Sequence, residues 1–264
     1  MYPKLFELGP LALHTYGLFL AIAFIAGIWI TSRNARREGI NADAMWNMGL
    51  VVLCATLIGC KLLMLITDFS YYAANPRKIF SLETLRSMGV FYGGLLLALG
   101  AAAWYLRKRR LPAWKVADCA APGIALGQVI GRLGCLAAGC CYGAPTDIPW
   151  SICFTNAYAH ENMGTPLNIP LHPTQIYESL GALFLFAYLT WRRSRPHANG
   201  QVILLYLGFY AALRFVIELF RADYRGAVFN GLLSTSQFIA VITFAAAVVF
   251  YIYLGRRGAS TKVN

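Results

Sequence analysis

Arginine and glutamate stand close together in one strongly apolar stretch of the sequence. Residues 213–221 read Leu-Arg-Phe-Val-Ile-Glu-Leu-Phe-Arg, so Arg214 and Glu218 are four residues apart and Arg221 follows three residues later. On a helix, Arg214 and Glu218 share one face and can pair. Two interpretations are open: the glutamate simply neutralises the arginine, or it orients a guanidinium fork that binds a phosphate group.

A second arginine follows a series of glycines. Gly123, Gly127 and Gly131 recur at intervals of four, and Arg132 comes directly after the last of them. Small residues at this spacing let another helix approach closely. Such a helix would hold Arg132 near its end, where a long cationic side chain can reach a phosphate plane. Asp118, near the start of the same segment, is predicted to complement the positive end of its own helix.

Lys61 and Glu178 also lie within predicted apolar segments, where an unpaired charge costs about 2.5–3.5 kcal/mol on insertion scales. Lys61 is predicted to pair with a carboxylate, either Glu178 or Asp118. Glu178 in turn has two predicted partners, Lys61 or Arg132.

Three further polar residues lie at the ends of predicted segments. Tyr16 is either an interfacial aromatic anchor or a site residue, and His14 beside it is either a solvated end residue or a binding residue. His172 either caps the start of the next helix or serves as a base if the preceding loop folds back over the arginines.

Seven cysteines raise the question of a metal or a disulfide. Cys54, Cys60 and Cys119 lie in or near apolar segments and fit small core residues. The other four are Cys135, Cys140, Cys141 and Cys153. A disulfide from Cys140 or Cys141 to Cys153 is one possibility on an oxidising side of a membrane. The spacing C-x4-C-C lacks the two cysteine pairs of a zinc motif, so the sequence predicts no metal and no cofactor.

The composition indicates the kind of protein that must position these residues. Of 264 residues, 58% are hydrophobic and only 13% are charged, which is typical of a membrane protein. A membrane-spanning helix needs about 20 mostly apolar residues. Seven such segments are predicted, at 13–31, 44–67, 88–106, 116–137, 175–191, 200–220 and 232–254. The expected fold is an all-α integral membrane bundle.

Basic residues indicate the orientation, because Lys and Arg concentrate in cytoplasmic connections. They are dense at 32–43, 107–115, 192–199 and in the C-terminal tail, which includes Lys262. Fewer occur on the other side, namely Lys4, Arg77, Lys78, Arg86, Arg221 and Arg225. The N-terminus is therefore predicted outside and the C-terminus inside. The net charge of +12 is explained by topology and anionic membrane lipids, and no nucleic-acid partner is expected.

No polar stretch is long enough to fold separately, so residues 1–264 are predicted to form a single transmembrane domain. Two non-cytoplasmic segments, near 68–87 and 138–174, are expected to cover its outer side. The second contains no Lys or Arg and is rich in Gly, Pro, Thr and Asn. It is a candidate cap over an active site.

Five motifs occur in order along the whole chain and together resemble the bacterial prolipoprotein diacylglyceryl transferases. They are His14-Thr15-Tyr16-Gly17, Phe91-Tyr92-Gly93-Gly94, Gly131-Arg132-Leu133-Gly134 running to Gly139-Cys140-Cys141-Tyr142-Gly143, His172-Pro173-Thr174-Gln175-Ile176-Tyr177-Glu178, and Arg214 to Arg221.

The resemblance implies transfer of a diacylglyceryl group from phosphatidylglycerol to the lipobox cysteine of a prolipoprotein, in the bacterial inner membrane with the active site facing outward. It implies catalytic roles for Arg132, Arg214, Tyr16 and Glu218, with Tyr92 at the position of a family histidine. Expected substrate-binding residues are the two arginines with His14, Gly93, Gly94, Gly143, His172 and Arg221.

Three positions depart from the family pattern. Tyr92 replaces a histidine that is a candidate base, Cys135 replaces an asparagine and Cys140 replaces a glutamate. A phenol with a pKa of about 10 is a poor base near neutral pH. Either the arginines suffice to ionise the thiol, or Tyr92 is activated by them, or the activity differs. The alternatives are a related lipid transfer to another acceptor and an inactive protein that binds lipid or lipoprotein.

Overall fold

The computed structural model describes residues 4–8, 11–81, 84, 87, 89–222, 226–228 and 232–260. Arg86, Arg225 and Lys262, which entered the orientation argument, lie outside the described residues. Within the described ranges, seven helices have 18 or more residues, and each overlaps one predicted segment. They are α1 (Thr15–Arg37), α2 (Ala42–Thr67), α4 (Phe91–Lys108), α5 (Ala113–Ala138), α7 (Thr174–Arg193), α8 (Gln201–Glu218) and α9 (Thr235–Ser260).

Short elements fill the connections. Two brief helices, α3 (Phe69–Ala74) and α6 (Ala157–Met163), and a 3₁₀ turn at Pro76–Phe80 occur in the segments predicted to be non-cytoplasmic. The described residues also form three antiparallel pairs of short strands. They are β1 (Lys4–Leu8) with β2 (Leu11–His14), β3 (Ile152–Cys153) with β4 (Pro170–Leu171), and β5 (Ala227–Val228) with β6 (Leu233–Ser234).

In the part of the chain that the structure describes, five helices are long and apolar enough to cross a membrane: α1, α2, α5, α8 and the part of α9 over Thr235–Arg256. Their outward surfaces are strongly apolar, with exposed residues such as Leu57, Phe209 and Val249. The chain is therefore a predominantly helical integral membrane protein. The predicted total of seven spans and the orientation of the termini stay predictions.

The chain divides into two compact units. The large unit comprises Met1–Asn34 and Ala117–Asn264, and the small unit comprises Ala35–Val116. In the large unit, α5, α7 and α8 meet around one buried apolar cluster. Its members are Ala121, Ala125, Leu185, Leu189, Val202 and Tyr206.

Glycines of α5 bring it close to α1. A Cβ atom at Gly123 would lie 2.6 Å from Thr31 Oγ1, and one at Gly134 would lie 2.8 Å from Phe19 Cβ. Gly127 also faces α1, with the carbonyl oxygen of Ala23 at 3.3 Å from such a Cβ. Gly131 has open space around it, so its predicted membership of the packing seam is wrong and Gly134 takes that place.

Asp118 serves a different helix from the one predicted. Its carboxylate accepts backbone N–H groups from Gly200 at 2.6 Å and Ile203 at 2.8 Å, at the start of α8. Gly200 at the N-cap has no side chain that could do this. Asp118 is only 3% exposed, so this cap is internal. The predicted interaction with its own helix is replaced by capping of α8.

The small unit is built on the pairing of α2 with α4. A Cβ atom at Gly59 would lie 2.9 Å from Leu97 Cβ, and one at Gly94 would lie 3.0 Å from Thr56 O. Glycine is therefore required where the two helices touch.

Lys61 in α2 donates to the carbonyl oxygen of Thr84 at 2.5 Å, to the carbonyl oxygen of Ser87 and to the Ser87 hydroxyl at 2.9 Å. The Lys61 ammonium therefore hydrogen bonds to these oxygen atoms, and the predicted pairing with the carboxylate of Glu178 or Asp118 is wrong.

Candidate functional site

Arg132, near the end of α5, forms an ion pair with a buried glutamate of α7. Arg132 Nη2 lies 2.7 Å from Glu178 Oε1, and the Glu178 side chain is 1% exposed. The hydroxyl of Tyr210 donates to the same Oε1 atom at 3.0 Å. Of the two predicted partners of Glu178, Arg132 is confirmed. A buried carboxylate held by two donors gives Arg132 a fixed orientation.

Arg214 and Glu218 form the predicted pair within α8. Arg214 Nη2 lies 2.6 Å from Glu218 Oε2, and it also donates to Ser236 Oγ at 3.3 Å. The Ser234 hydroxyl donates to Glu218 Oε1 at 2.9 Å. Arg214 Nη1 is buried, yet no described residue accepts a hydrogen bond from it. The guanidinium is thus held on one side and retains donor capacity on the other.

Tyr210 connects the two ion pairs. Tyr210, Arg214 and Glu218 follow one another at intervals of four on α8, so they share a helix face. Tyr210 interacts electrostatically with both arginines as well as hydrogen bonding to Glu178. Sequence reasoning missed Tyr210, Ser234 and Ser236. Tyr210 could have been found from its position, because it lies four residues before Arg214 and therefore on the same face of an apolar helix.

Tyr16 belongs to the same neighbourhood as Arg132. It is half-buried in the first turn of α1, and a Cβ atom at Gly134 would lie 3.6 Å from its ring. It interacts electrostatically with Arg132. The close packing of α1 on α5 therefore brings a predicted catalytic tyrosine near a predicted catalytic arginine.

The segment after α5 is fixed against the end of α8 by Gly143. The Gly143 N–H donates to His172 O at 3.1 Å, and the glycine forms a β-bridge with Arg221. A Cβ atom here would lie 2.8 Å from Phe220 O, so any larger residue would displace the segment. Gly143 allows the backbone to pass beside Arg221, and its predicted role in substrate binding stays a prediction.

His172 lies against aromatic residues and does not cap α7. Its Nδ1 atom is 3.3 Å from the Tyr177 hydroxyl, and its ring centroid is 5.2 Å from that of Phe220. The N-cap position of α7 is Pro173, without a side-chain hydrogen bond. The helix-capping interpretation of His172 is therefore wrong, and its place beside residue 220 keeps it near the Arg221 end of the site.

His14 contacts the predicted cap. Its Nε2 atom is 3.0 Å from the hydroxyl of Tyr158, which lies in α6. The β-bridge between Pro145 and Leu171 and the β3–β4 pair fold residues 145–171 back on themselves. The first motif of the sequence is thus tied to the segment expected to cover the site.

All seven cysteines lie in the described part of the chain, and none is in a disulfide. Cys153 is exposed, whereas Cys140 and Cys141 group with Cys135. The possible disulfide to Cys153 is therefore not present. Hydrogen bonds from the thiols of Cys135 and Cys140, with the charges of Arg221 and Arg132, hold the pKa of Cys141 well below its usual range.

Tyr92, Gly93 and Gly94 belong to the small unit. Tyr92 is 46% exposed at the start of α4, with its ring 5.7 Å from that of Phe91. Gly93 and Gly94 are buried against α2 and carry the helix contact described above. Their observed role is packing, and their predicted role in substrate binding stays a prediction.

The chain is similar to known proteins over almost its whole length. A family model described as prolipoprotein diacylglyceryl transferase matches residues 3–253. A phosphatidylglycerol–prolipoprotein diacylglyceryl transferase of Clostridium tetani is 36% identical over 246 residues, covering 92% of this chain and 94% of the relative. A protein of the same name from Dehalococcoides mccartyi is 34% identical, covering 99% and 97%. One from Vibrio cholerae is 31% identical, covering 97% and 92%.

Proposed function

The chain belongs to the prolipoprotein diacylglyceryl transferase family, and from that premise we propose that it transfers a diacylglyceryl group from phosphatidylglycerol to a prolipoprotein. The acceptor is the cysteine thiol of the lipobox in the signal peptide. The reaction is the first step of lipoprotein maturation. It needs no cofactor, because the chemistry is a substitution at carbon with phosphate as the leaving group.

The bonds that change define what the site must do. The cysteine sulfur forms a thioether bond to the glycerol carbon, and the bond from that carbon to the phosphate oxygen breaks. Glycerol phosphate leaves with the bonding electron pair, and the thiol proton is released to a base or to the phosphate. The protein must therefore stabilise charge on the phosphate and favour the thiolate.

The buried Nη1 atom of Arg214 is the observation that carries this proposal. A buried donor left without an acceptor is costly, about 1–3 kcal/mol or more for a charged group. A phosphate oxygen is an acceptor of the right charge, and Glu218 with Ser236 already fixes the guanidinium plane. Arg214 is thus prepared to bind an anion that develops during the reaction.

Arg132 supplies the second cation. Its pairing with Glu178 occupies one nitrogen, and its side chain remains 18% exposed. Tyr210 links this pair to Arg214. We assign Arg132, Arg214, Tyr16, Tyr92 and Glu218 to catalysis, and assign the two arginines with the remaining motif residues to substrate binding. These last are His14, Gly93, Gly94, Gly143, His172 and Arg221.

The membrane arrangement forms part of the proposal. We assign seven spans in a single transmembrane domain, with α4 and α7 added to the five described helices that are long and apolar enough to cross a membrane. The N-terminus lies outside, the C-terminus lies in the cytoplasm, and the site faces the outer side of the bacterial inner membrane. The excess of Lys and Arg in the predicted cytoplasmic connections supports this orientation.

The direct test is transfer from phosphatidylglycerol to a lipobox peptide by purified protein, read as the added diacylglyceryl mass. The wild-type protein is expected to transfer the diacylglyceryl group. The rate of the Tyr92→Phe variant shows whether the Tyr92 hydroxyl contributes to the reaction. Lipid binding without transfer would contradict the proposal and favour an inactive binding protein or another acceptor. A gain of transfer by Tyr92→His in that case would show that the base had been lost.

A further inference from the structure

Three thiols converge where α5 ends. Cys135 lies in the last turn of the helix, and Cys140 and Cys141 lie in the segment that follows. Their sulfur atoms are all within 4.8 Å of one another. Among the described residues, no other three Cys, His, Asp or Glu side chains meet at this spacing. We name these three residues the trithiol cluster.

The backbone holds the trithiol cluster in place. Cys141 has φ +63°, a left-handed conformation that is uncommon for a residue with a side chain. Such a conformation persists only where the surroundings enforce it. The Cys140 N–H donates to Cys135 O at 3.1 Å, so the segment turns back on the helix end.

Two fully buried residues of α7 strengthen this arrangement. Gln175 Nε2 donates to Cys140 O at 2.7 Å, and Thr174 Oγ1 donates to Cys141 O at 2.7 Å. Gln175 is 1% exposed and Thr174 is 0% exposed. The three sulfurs are therefore preorganised, and a ligand that joins them has little backbone to order.

Entry and charge both suit a cation. Cys135 is buried, whereas Cys140 and Cys141 are partly exposed and leave the cluster reachable. Three thiolates around a divalent ion carry a net charge of −1. Arg132 and Arg221 both act electrostatically on Cys141, and Arg132 also acts on Cys135. The two guanidinium groups can balance the residual negative charge.

We propose that Cys135, Cys140 and Cys141 bind one thiophilic metal ion, of the class of Zn²⁺ or Cd²⁺, through three thiolates with a fourth position open. Zinc–sulfur bonds of about 2.3 Å place the sulfurs of a tetrahedral site roughly 3.8 Å apart, so the observed cluster needs to contract by at most about 1 Å. A disulfide would use two sulfurs and leave the third over, whereas one ion uses all three. The proposal replaces the sequence prediction of no metal, which rested on linear spacing alone.

The first experiment is a titration of the reduced, detergent-purified full chain with Cd²⁺ under anaerobic conditions. The expected result is a thiolate-to-metal charge-transfer absorption that saturates at one ion per chain and is displaced by Zn²⁺. Serine at Cys135, Cys140 or Cys141 is expected to weaken binding by at least about 100-fold, because loss of an outer partner alone costs roughly 10–100-fold. Cys153→Ser and Cys54→Ser are the matched controls and should bind as wild type does.

A second measurement needs no substitution. The unaltered protein is alkylated with and without Zn²⁺, and the labelled peptides are quantified by mass spectrometry. Zinc is expected to protect Cys140 and Cys141 while Cys153 and Cys54 label equally in both samples. Equal labelling of Cys140 and Cys141 in both samples overturns the proposal, as does unchanged Cd²⁺ binding after all three cysteines are replaced by serine.

Discussion

Each unit of the molecule places a basic side chain within an apolar helix, and the two units satisfy it differently. In the small unit, the Lys61 ammonium donates to two carbonyl oxygens and a hydroxyl supplied by Thr84 and Ser87. In the large unit, Arg214 is paired with Glu218 yet keeps a buried nitrogen for which no described residue is an acceptor.

From this difference we infer that Lys61 is a structural cation, and we propose that Arg214 is a functional one. A charge in a membrane helix is costly in either case, so its presence alone says little about its use. Arg214 differs because its guanidinium group is held in a fixed orientation by Glu218, while its buried Nη1 atom has no acceptor among the described residues. Substitution of Arg214 should therefore reduce transfer far more than substitution of Lys61.

Removing the unused donor should abolish most of the activity. Arg214→Ala is expected to lower the rate of diacylglyceryl transfer by about a thousandfold, because a preorganised donor to a developing oxyanion contributes on that scale. The rate is measured with phosphatidylglycerol and a lipobox peptide. Arg195→Ala is the control, since that guanidinium lies over the Trp191 ring at 5.5 Å. A wild-type rate in Arg214→Ala would show that the buried donor of Arg214 takes no part in the reaction.

Neutralising the partner of the other arginine should have the next largest effect. Glu178→Gln keeps the shape of the side chain but leaves Arg132 without its buried counter-charge. Transfer is expected to fall about a hundredfold and the thermal unfolding midpoint to fall with it, because a broken buried pair is strongly destabilising. An unchanged thermal unfolding midpoint of the purified variant would show that the Arg132–Glu178 pair does not stabilise the fold.

The link between the two ion pairs should have a smaller effect. Tyr210→Phe removes the hydroxyl that donates to Glu178 while keeping the ring stacked on Tyr206 at 5.8 Å. A hydrogen bond to a charged group contributes about 1.5–3 kcal/mol, so transfer should fall roughly tenfold to a hundredfold. Tyr188→Phe in α7 is the control. Equal rates for the two variants would remove Tyr210 from the site.

Lys61 should matter least to the reaction. Lys61→Met loses hydrogen bonds to Thr84 and Ser87, so the free energy of unfolding is expected to fall by about 1–2 kcal/mol. The transfer rate per folded molecule should equal that of wild type. A large loss of transfer without loss of stability would show that Lys61 as well as Arg214 serves the reaction.

Periodicity and length predicted the positions of all the long helices, because apolar runs of membrane length are a strong local signal. The Arg214–Glu218 pair was equally predictable, since both residues lie on one helix four positions apart. The trithiol cluster was not, because its form depends on a left-handed Cys141 and on carbonyl groups held by Gln175 and Thr174.

The errors also share a physical cause. Gly131 fits the four-residue spacing of the glycines, but α1 contacts α5 at Gly134 instead. The contact depends on how the two helices cross, which the spacing of the glycines does not specify. Asp118 was assigned to the nearest helix in sequence, whereas its carboxylate reaches the start of α8. Tyr210 was missed because its partner Glu178 lies on another helix, 32 residues earlier in the chain.

The cap that Asp118 provides has a consequence for the order in which the chain is made. Synthesis proceeds from the N-terminus, so α5 is complete before α8 leaves the ribosome. Gly200 offers no side chain of its own, and the first turn of α8 gains its acceptor only by docking on a segment made 82 residues earlier. The first turn of α8 is therefore stabilised by a carboxylate of α5, a helix that has already been synthesised when α8 forms.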